Sequence, residues 1–198
     1  MTIRFPLIPT IVVAAAVATM IGLGIWQLDR AGQKERLLAS YAAAAGKPPV
    51  AWPTMPLAGE PPLFRKASGT CLEVTGWRPV AGEDAKGRVG YAFLADCRTG
   101  AEGPGMVVDA GWSANPQTKP DWKGGPVDGT IAPDKQSVMR LVSAQGLGGL
   151  AASAPPSPAM IPNNHRSYAV QWFLFAAIAA VIYVLALAKR AREEGPTA

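Results

Sequence analysis

The chain has 198 residues, of which 49% are apolar, and its 19 Lys and Arg against 14 Asp and Glu give a formal net charge of +5. This composition suits one modest domain attached to apolar segments and argues against a soluble multidomain enzyme. Between positions 29 and 166 the charges are too balanced for a nucleic-acid-binding surface, so we expect no nucleic-acid partner.

The first predicted element is a membrane-spanning helix over residues 7–28. No charged side chain occurs between Arg4 and Asp29, and about 20 such residues cross a bilayer. The apolar run is longer than the core of a usual signal peptide, which favours a retained anchor over a cleaved signal. Small residues around Ala14 to Ala18 could imitate a cleavage site and keep the cleaved signal as an alternative.

A helical extension is predicted over residues 29–45, because LDRAGQKERLLASYAAAA is rich in helix formers and is interrupted only by Gly32. The following GKPPVAWPTMPLAGEPP contains six prolines in 17 residues. Proline at this density ends the helix and predicts an extended connector.

Residues 46–162 are predicted to form a β-rich domain with Pro-rich connectors, because short alternating or β-branched runs are separated by Gly, Pro and Asp clusters. Such a series of strands predicts an antiparallel sheet curled into a small sandwich or open barrel. A second, loose connector is expected in GLGGLAASAPPSPAMIP. The strands are predicted near residues 64–80, 89–97, 105–112, 126–131 and 137–144.

A second membrane-spanning helix is predicted over residues 167–188, which are also free of charge. Asn163 and Asn164 precede it and are good helix N-caps. Lys189, Arg190 and Arg192 follow it directly. By the positive-inside rule, these cations place a tail of residues 189–198 in the cytoplasm.

Two spans place both termini on one side, so we expect both in the cytoplasm and the β-rich domain in the periplasm. Arg30, Lys34 and Arg36 favour the opposite orientation, but a segment of more than about 100 residues translocates largely regardless of its charge. An oxidising compartment would permit a disulfide between Cys71 and Cys97. Whether they pair depends on strand register and stays open.

His165 is the only histidine of the chain, and it restricts the possible chemistry. The sequence has no G-x-S-x-G, P-loop, dinucleotide-binding or H-E-x-x-H motif. A hydrolase would need a nucleophile beside His165, and none is evident. There is no C-x-x-C-H motif for covalent haem, but a single His can be one axial ligand of non-covalent haem.

Helical spacing places Tyr168 and Trp172 near His165 on the second helix. On the first helix, Trp26 is followed at four-residue intervals by two cations, Arg30 and Lys34. Pairing of the two spans would bring these aromatic and basic side chains together at the outer interface.

Small residues at Ala18 and Gly22 are expected to let the two spans approach closely. An ordinary alternative also fits the residue types at the outer interface. Aromatic side chains are common at a membrane boundary, and cations there contact lipid phosphates. From the residues alone, this alternative is favoured.

Motifs next to both predicted spans resemble the Surfeit locus protein 1 family, and the resemblance covers the chain end to end. GIWQLDRAGQK follows the first span, NNHRSYAVQWF opens the second, and GMVVDAGWSANP is similar to the central strand motif of the family. The matching residues are Gly24, Trp26, Gln27, Arg30 and Lys34 in the first motif, His165, Tyr168, Ala169, Gln171 and Trp172 in the second, and Val107, Val108, Gly111, Trp112 and Pro116 in the central motif. Family members commonly carry Asn-Arg where this chain has Asp109 and Ala110, so a partner contact through that arginine does not carry over.

The resemblance implies an α+β membrane protein in which two transmembrane helices flank an extracytoplasmic antiparallel β-sandwich or open-barrel domain. It implies an assembly factor for cytochrome c oxidase rather than an enzyme, in the bacterial inner membrane. Bacterial relatives are implicated in holding haem a, non-covalently and transiently, for insertion into oxidase subunit I. The implied partners are that subunit, other oxidase assembly factors and the lipid bilayer.

Carried over residue by residue, the resemblance makes His165 the ligand of the haem iron. Aromatic side chains of the two terminal motifs would line the ring, and their cations would neutralise the propionates. The expected haem-binding residues are Trp26, Gln27, Arg30, Lys34, His165, Tyr168 and Trp172.

The alternative function is that of a scaffold, which binds oxidase subunits without any cofactor. Its expected contact surface lies around Gly111 and Trp112. A scaffold would copurify with its partner but without a chromophore.

Overall fold

A computed structural model describes residues 6–55, 58–103 and 105–193 of the chain. The last five residues of the predicted tail 189–198 lie outside the described residues. By its internal contacts the chain divides into two compact units. One contains the chain up to Leu37 and from Pro162 onward, and the other contains residues 38–161.

Two long helices dominate the first unit. Helix α1 runs from Leu7 to Ala44 and α2 from His165 to Glu193. Pro9 lies in the first turn of α1, where no backbone donor is needed. The residues predicted as a span and as its extension therefore form one continuous helix, which ends just before the first Pro-rich connector.

The two helices pack antiparallel through small residues. Gly24 and Ala31 of α1 are buried, as are Ala169 and Ala176 of α2, and each pair is seven residues apart. A Cβ built on Gly24 would lie 2.6 Å from the ring of Phe173, so only glycine leaves that ring its place. Small side chains at this spacing let helix backbones approach closely.

The small residues expected from the sequence to form this contact were the wrong ones. Ala18 and Gly22 are exposed, and a Cβ built on Gly22 would meet nothing within 4 Å. The helix is apolar on every side over this stretch, so its sequence does not distinguish the face that meets α2.

Both helices are long and apolar enough to cross a membrane, with mean hydropathies of 2.2 and 2.3 over their most apolar windows. Only 6% of each window is buried within the protein. Large apolar side chains such as Ile11, Ile25, Val181 and Leu185 are exposed. Since water would disfavour so much exposed apolar surface, the helices indicate membrane association.

The second unit is built on one seven-stranded sheet in the order β1-β2-β6-β7-β5-β4-β3. All neighbouring strands pair antiparallel except β1 with β2 and β5 with β7, which are parallel. This confirms the predicted fold class of two long apolar helices that flank a mostly antiparallel sheet. The strands are β1 (Val50–Ala51), β2 (Lys66–Cys71), β3 (Glu73–Glu83), β4 (Val89–Arg98), β5 (Met106–Ser113), β6 (Gly125–Asp134) and β7 (Val138–Ser143).

The sheet curls until its two ends meet, as an open barrel does. Strands β2 and β3 lie near opposite edges of the sheet, yet only Leu72 separates them in sequence. At this seam Cys71 and Cys97 form a disulfide with their Cα atoms 5.2 Å apart. The Leu72 amide donates to the carbonyl of Arg98 at 2.9 Å. The structure thus settles the pairing of the cysteines, which the sequence had left open.

The inside of the curl is the hydrophobic core. Every strand from β2 to β7 points apolar side chains into one cluster, which includes fully buried Phe93, Val108, Ile131 and Leu141. Burial of each such side chain contributes about 1.5–3 kcal/mol. The core therefore belongs to the β-unit, whereas apolar side chains of α1 and α2 face outward.

Two details of this unit differ from the sequence-based predictions. The predicted strand 64–80 is two strands, because the chain turns at Leu72 from one end of the sheet to the other. The second connector is not loose. Ala151 pairs with Trp112 and Ser153 with Asp84, so it is bound to the strands by backbone hydrogen bonds.

The central motif is also buried, which overturns the surface expected for a scaffold. Gly111 is buried and Trp112 is only 7% exposed. Gly111 has a φ of +142°, and a Cβ there would lie 2.4 Å from the carbonyl oxygen of Ala151. Glycine is needed here so that the connector can pair with β5.

Two carboxylates with buried side chains connect strands on the face of the sheet opposite the core. Asp109 accepts a hydrogen bond of 2.6 Å from Ser153 on the connector and lies 3.5 Å from Arg140 of β7. Burial raises the pKa of the Asp109 carboxyl, although the serine hydroxyl and the guanidinium oppose this. Asp109 thus helps to hold the connector against the sheet. Ionisation of its buried carboxyl costs free energy.

Asp134 of β6 makes a second such contact and links the two sides of the seam. It accepts a hydrogen bond of 2.8 Å from Arg78 of β3. Burial works to raise its pKa, but hydrogen bonds from Ser137 and Arg78 prevail and hold the pKa well below the usual range. Asp134 is therefore a stabilising anion at neutral pH.

Candidate functional site

The candidate site lies in the helical unit, where α2 begins. His165 is the first residue of α2 and is half-buried. Its Nδ1 atom lies 2.8 Å from the amide oxygen of Gln27 on α1. This hydrogen bond joins two residues that are 138 positions apart in sequence. The contact engages Nδ1, so Nε2 is the ring nitrogen that remains for a ligand.

A small cavity of about 250 Å³ adjoins the imidazole. It is lined by His165 and by one face of α1, namely Arg30, Gln33, Lys34 and Leu37. Residues at these intervals share a helix face. Two permanent cations beside an imidazole make the cavity electropositive, so it suits an anionic group.

The first cation is held in place. Arg30 donates from Nη1 to the amide oxygen of Gln33 at 2.8 Å, and the Gln33 amide nitrogen donates to Asp29 at 2.7 Å. Lys34 forms no ion pair with another described residue, so its charge is available to a ligand. Arg166, next to His165, instead pairs with Glu35 of α1 at 2.9 Å.

The three predicted aromatic residues do not line this cavity. Trp26 and Tyr168 are 52% and 51% exposed. Trp172 is half-buried and packs edge-on against Phe175, with the ring centroids 6.3 Å apart. The structure thus brings together His165 with Gln27 and the two cations, while the aromatics remain outside the cavity.

The site and its surroundings include residues that the sequence did not single out, namely Gln33, Leu37 and the Glu35–Arg166 pair. Gln33 and Leu37 follow Arg30 by three and seven residues, so the helical repeat that grouped Arg30 with Lys34 could have included them. The ion pair between Glu35 and Arg166 depends on how α1 and α2 align, which neither helix reveals by itself.

The side chains that line this cavity suit the binding of a ligand. The imidazole can bind a metal through Nε2, and the cations can bind carboxylates. None of the five lining residues carries a hydroxyl or thiol, and both cysteines are joined in the β-unit. The cavity is below the roughly 300–1,000 Å³ of sites that enclose a ligand, so a large ligand would lie partly outside it.

A family model described as the SURF1 family matches residues 14–177, which is well over half of the chain and includes every residue of the site. No curated protein matches the chain.

Proposed function

Because the chain belongs to the SURF1 family, whose role is in the assembly of cytochrome c oxidase, we propose that it holds haem a for insertion into oxidase subunit I. The observation that carries this proposal is the oriented imidazole of His165 beside Arg30 and Lys34. The role proposed is binding and transfer, as suits an assembly factor, rather than catalysis.

His165 would bind the haem iron through Nε2, since Nδ1 is engaged by Gln27. Histidine is a common axial ligand of haem iron, and the second ring nitrogen of such a ligand usually has a hydrogen-bond partner. The chain supplies no second histidine. His165 is therefore the single imidazole that the chain offers to the iron.

Arg30 and Lys34 would hold the propionates. They line the cavity next to the imidazole, and Arg–carboxylate pairs are strong charge-assisted hydrogen bonds. A cavity of about 250 Å³ accommodates such a group but does not enclose a whole porphyrin. The exposed side chains of Trp26 and Tyr168 would offer contacts to the ring.

This arrangement suits a cargo that has to be released. The cavity would hold only part of such a ligand, so transfer to a membrane partner would break few contacts. The proposed recipient is subunit I, with other oxidase assembly factors as further partners.

We place the protein in a bacterial inner membrane with both termini in the cytoplasm and the β-unit in the periplasm. The buried disulfide supports this orientation, because disulfides persist in oxidising compartments and are rare in the cytosol. The cations that end α2, Lys189, Arg190 and Arg192, support it as well.

The test is an optical spectrum with pyridine-haem analysis of protein purified from cells that make haem a. We expect a haem band in the wild type, loss of the band in His165→Ala, and an unchanged band in Ser167→Ala, an exposed neighbour on the same helix turn. An unchanged band in His165→Ala would remove His165 from the mechanism. Copurification of an oxidase subunit without any chromophore would instead support the scaffold.

A further inference from the structure

We infer that Gln27 is a positioning residue, which accepts the Nδ1 proton of His165 and thereby keeps Nε2 bare as the iron ligand. The part that concerns iron rests on the proposed function, whereas the position of the proton is a property of the protein alone. Gln27 belongs to the motif that follows the first span, but no contact with haem is needed for this role.

The chemistry of the two groups fixes the direction of the hydrogen bond. A neutral imidazole carries one N–H and one lone pair, and an amide oxygen can only accept. The Gln27 oxygen lies 2.8 Å from Nδ1, which is the geometry expected when the proton is on Nδ1. The lone pair is then on Nε2, and only a nitrogen with a free lone pair can bind iron.

The choice of an amide also sets the strength of the ligand. Histidines that bind metals commonly donate their second N–H to a carboxylate or a carbonyl, and a carboxylate makes the imidazole a stronger donor. Gln27 orients the ring as a carboxylate would but carries no charge. An imidazole oriented by an uncharged amide would therefore bind iron less strongly than one paired with a carboxylate, which suits a protein that hands its cargo on.

Two other roles would give different results. If the amide were reversed, its NH₂ group would donate to Nδ1, the proton would lie on Nε2, and that nitrogen could not bind iron. If Gln27 only held the helices together, it would act like Glu35, whose pair with Arg166 is another polar contact between α1 and α2. Glu35→Ala is therefore a matched control.

The first experiment uses the full chain without haem in lipid nanodiscs. His165 is the only histidine, so ¹⁵N-histidine labelling gives the NMR signals of one imidazole. We expect Nδ1 protonated and Nε2 unprotonated at neutral pH in the wild type and in Glu35→Ala, and loss of this preference in Gln27→Leu. A proton on Nε2 in the wild type, or the same tautomer in Gln27→Leu, would overturn the inference.

The second experiment titrates the same proteins with haem a extracted from an oxidase. Gln27→Leu should weaken binding by about 10- to 100-fold, as loss of a hydrogen-bond partner of a metal ligand typically does. Gln27→Glu should bind and should shift the iron reduction potential below that of the wild type, because the carboxylate strengthens the donor. Equal potentials in the two proteins would contradict the role in tuning.

The two experiments separate this inference from the proposed function. If His165→Ala binds haem as the wild type does, the proposed function fails while the tautomer result stands. If haem is lost in His165→Ala but the Gln27 variants change neither the tautomer nor the potential, the role of Gln27 alone fails.

Discussion

The two units of this protein bury opposite kinds of surface. In the β-unit, large apolar side chains such as Leu94 and Phe93 are 0% and 2% exposed, and polar groups form ties between strands. In the helical unit, large apolar side chains face outward and the buried positions of the helix contact are small residues. A substitution of one chemical kind should therefore have different consequences in the two units.

The polar contacts differ in the same way. Asp109 and Asp134 of the β-unit hold strands and a connector in place, so their loss should be felt as instability. His165 and Gln27 hold a single nitrogen in place at the end of two helices, so their loss should be felt in binding. Polar contacts therefore hold strands together in the β-unit, whereas in the helical unit the contact of His165 with Gln27 orients the side chain that we propose as the ligand.

The largest effect is expected when alanine replaces a buried leucine of the β-unit rather than an exposed leucine of α2. Leu94 in β4 is 0% exposed, and Leu94→Ala should lower the free energy of unfolding of the β-unit by about 2–5 kcal/mol through lost burial and a cavity. Leu185 in α2 is 63% exposed, and Leu185→Ala should change the free energy of unfolding by less than about 0.5 kcal/mol. Urea unfolding in detergent measures both, and equal losses would break the comparison.

The effect of removing the disulfide should be confined to the β-unit. The bond closes a separation of 26 residues, so Cys71→Ala with Cys97→Ala should lower the free energy of unfolding by about 3.5 kcal/mol. The helical unit contains no cysteine, and the His165 tautomer should not change. A changed imidazole spectrum in the double variant would show that the two units are not independent.

The two carboxylates should respond to pH with opposite signs. The folded-state pKa of Asp134 is lowered, so its stabilisation is present above the unfolded pKa and is lost as the pH falls through the folded value. Asp134→Asn should therefore cost about 1.5–3 kcal/mol at pH 7, the range for hydrogen bonds to charged groups, and less in strong acid.

The folded-state pKa of Asp109 is raised by burial, so its ionisation costs stability as the pH rises above the unfolded value. Asp109→Asn keeps an acceptor for Ser153 and should become more favourable relative to the wild type as the pH rises. Urea midpoints across the acidic and neutral range measure both variants. Parallel pH profiles for the two asparagine variants would contradict the assignment of opposite shifts.

The smallest effect is expected where the helices meet. Gly24→Val should displace the ring of Phe173 and weaken haem binding about fivefold, since modest overpacking costs about 1 kcal/mol. Gly22→Val should have no effect, because nothing lies within 4 Å of its added Cβ. A loss of binding in Gly22→Val would mean that α1 presents a different face to α2.

The structural elements that depend on local sequence pattern were predictable. Long charge-free stretches predicted both helices, and alternating runs located most strands. The break at Leu72 was missed because that residue looks like the middle of one strand, and only the curl of the sheet places its two sides at opposite edges. The pairing of Ala151 with Trp112 was missed for the same reason, since it depends on a close approach at Gly111.

The candidate site was predictable in part. The spacing of Arg30 and Lys34 along one helix already grouped the two cations, and the single histidine was singled out. The contact between Gln27 and His165 was not predictable, because it depends on the rotation of two helices that are apolar all round. Exposed Trp26 and Tyr168 show the same limit, since helical spacing fixes the face of a residue but not what covers it.

The disulfide has a consequence for the order in which the β-unit is made. Strands β6, β7 and β5 lie between β2 and β4 in the sheet, but all three follow Cys97 in the chain. Cys71 and Cys97 can therefore be oxidised while the later strands are still being synthesised. The covalent link thus joins β2 to β4 directly and does not depend on the three strands that separate them along the sheet.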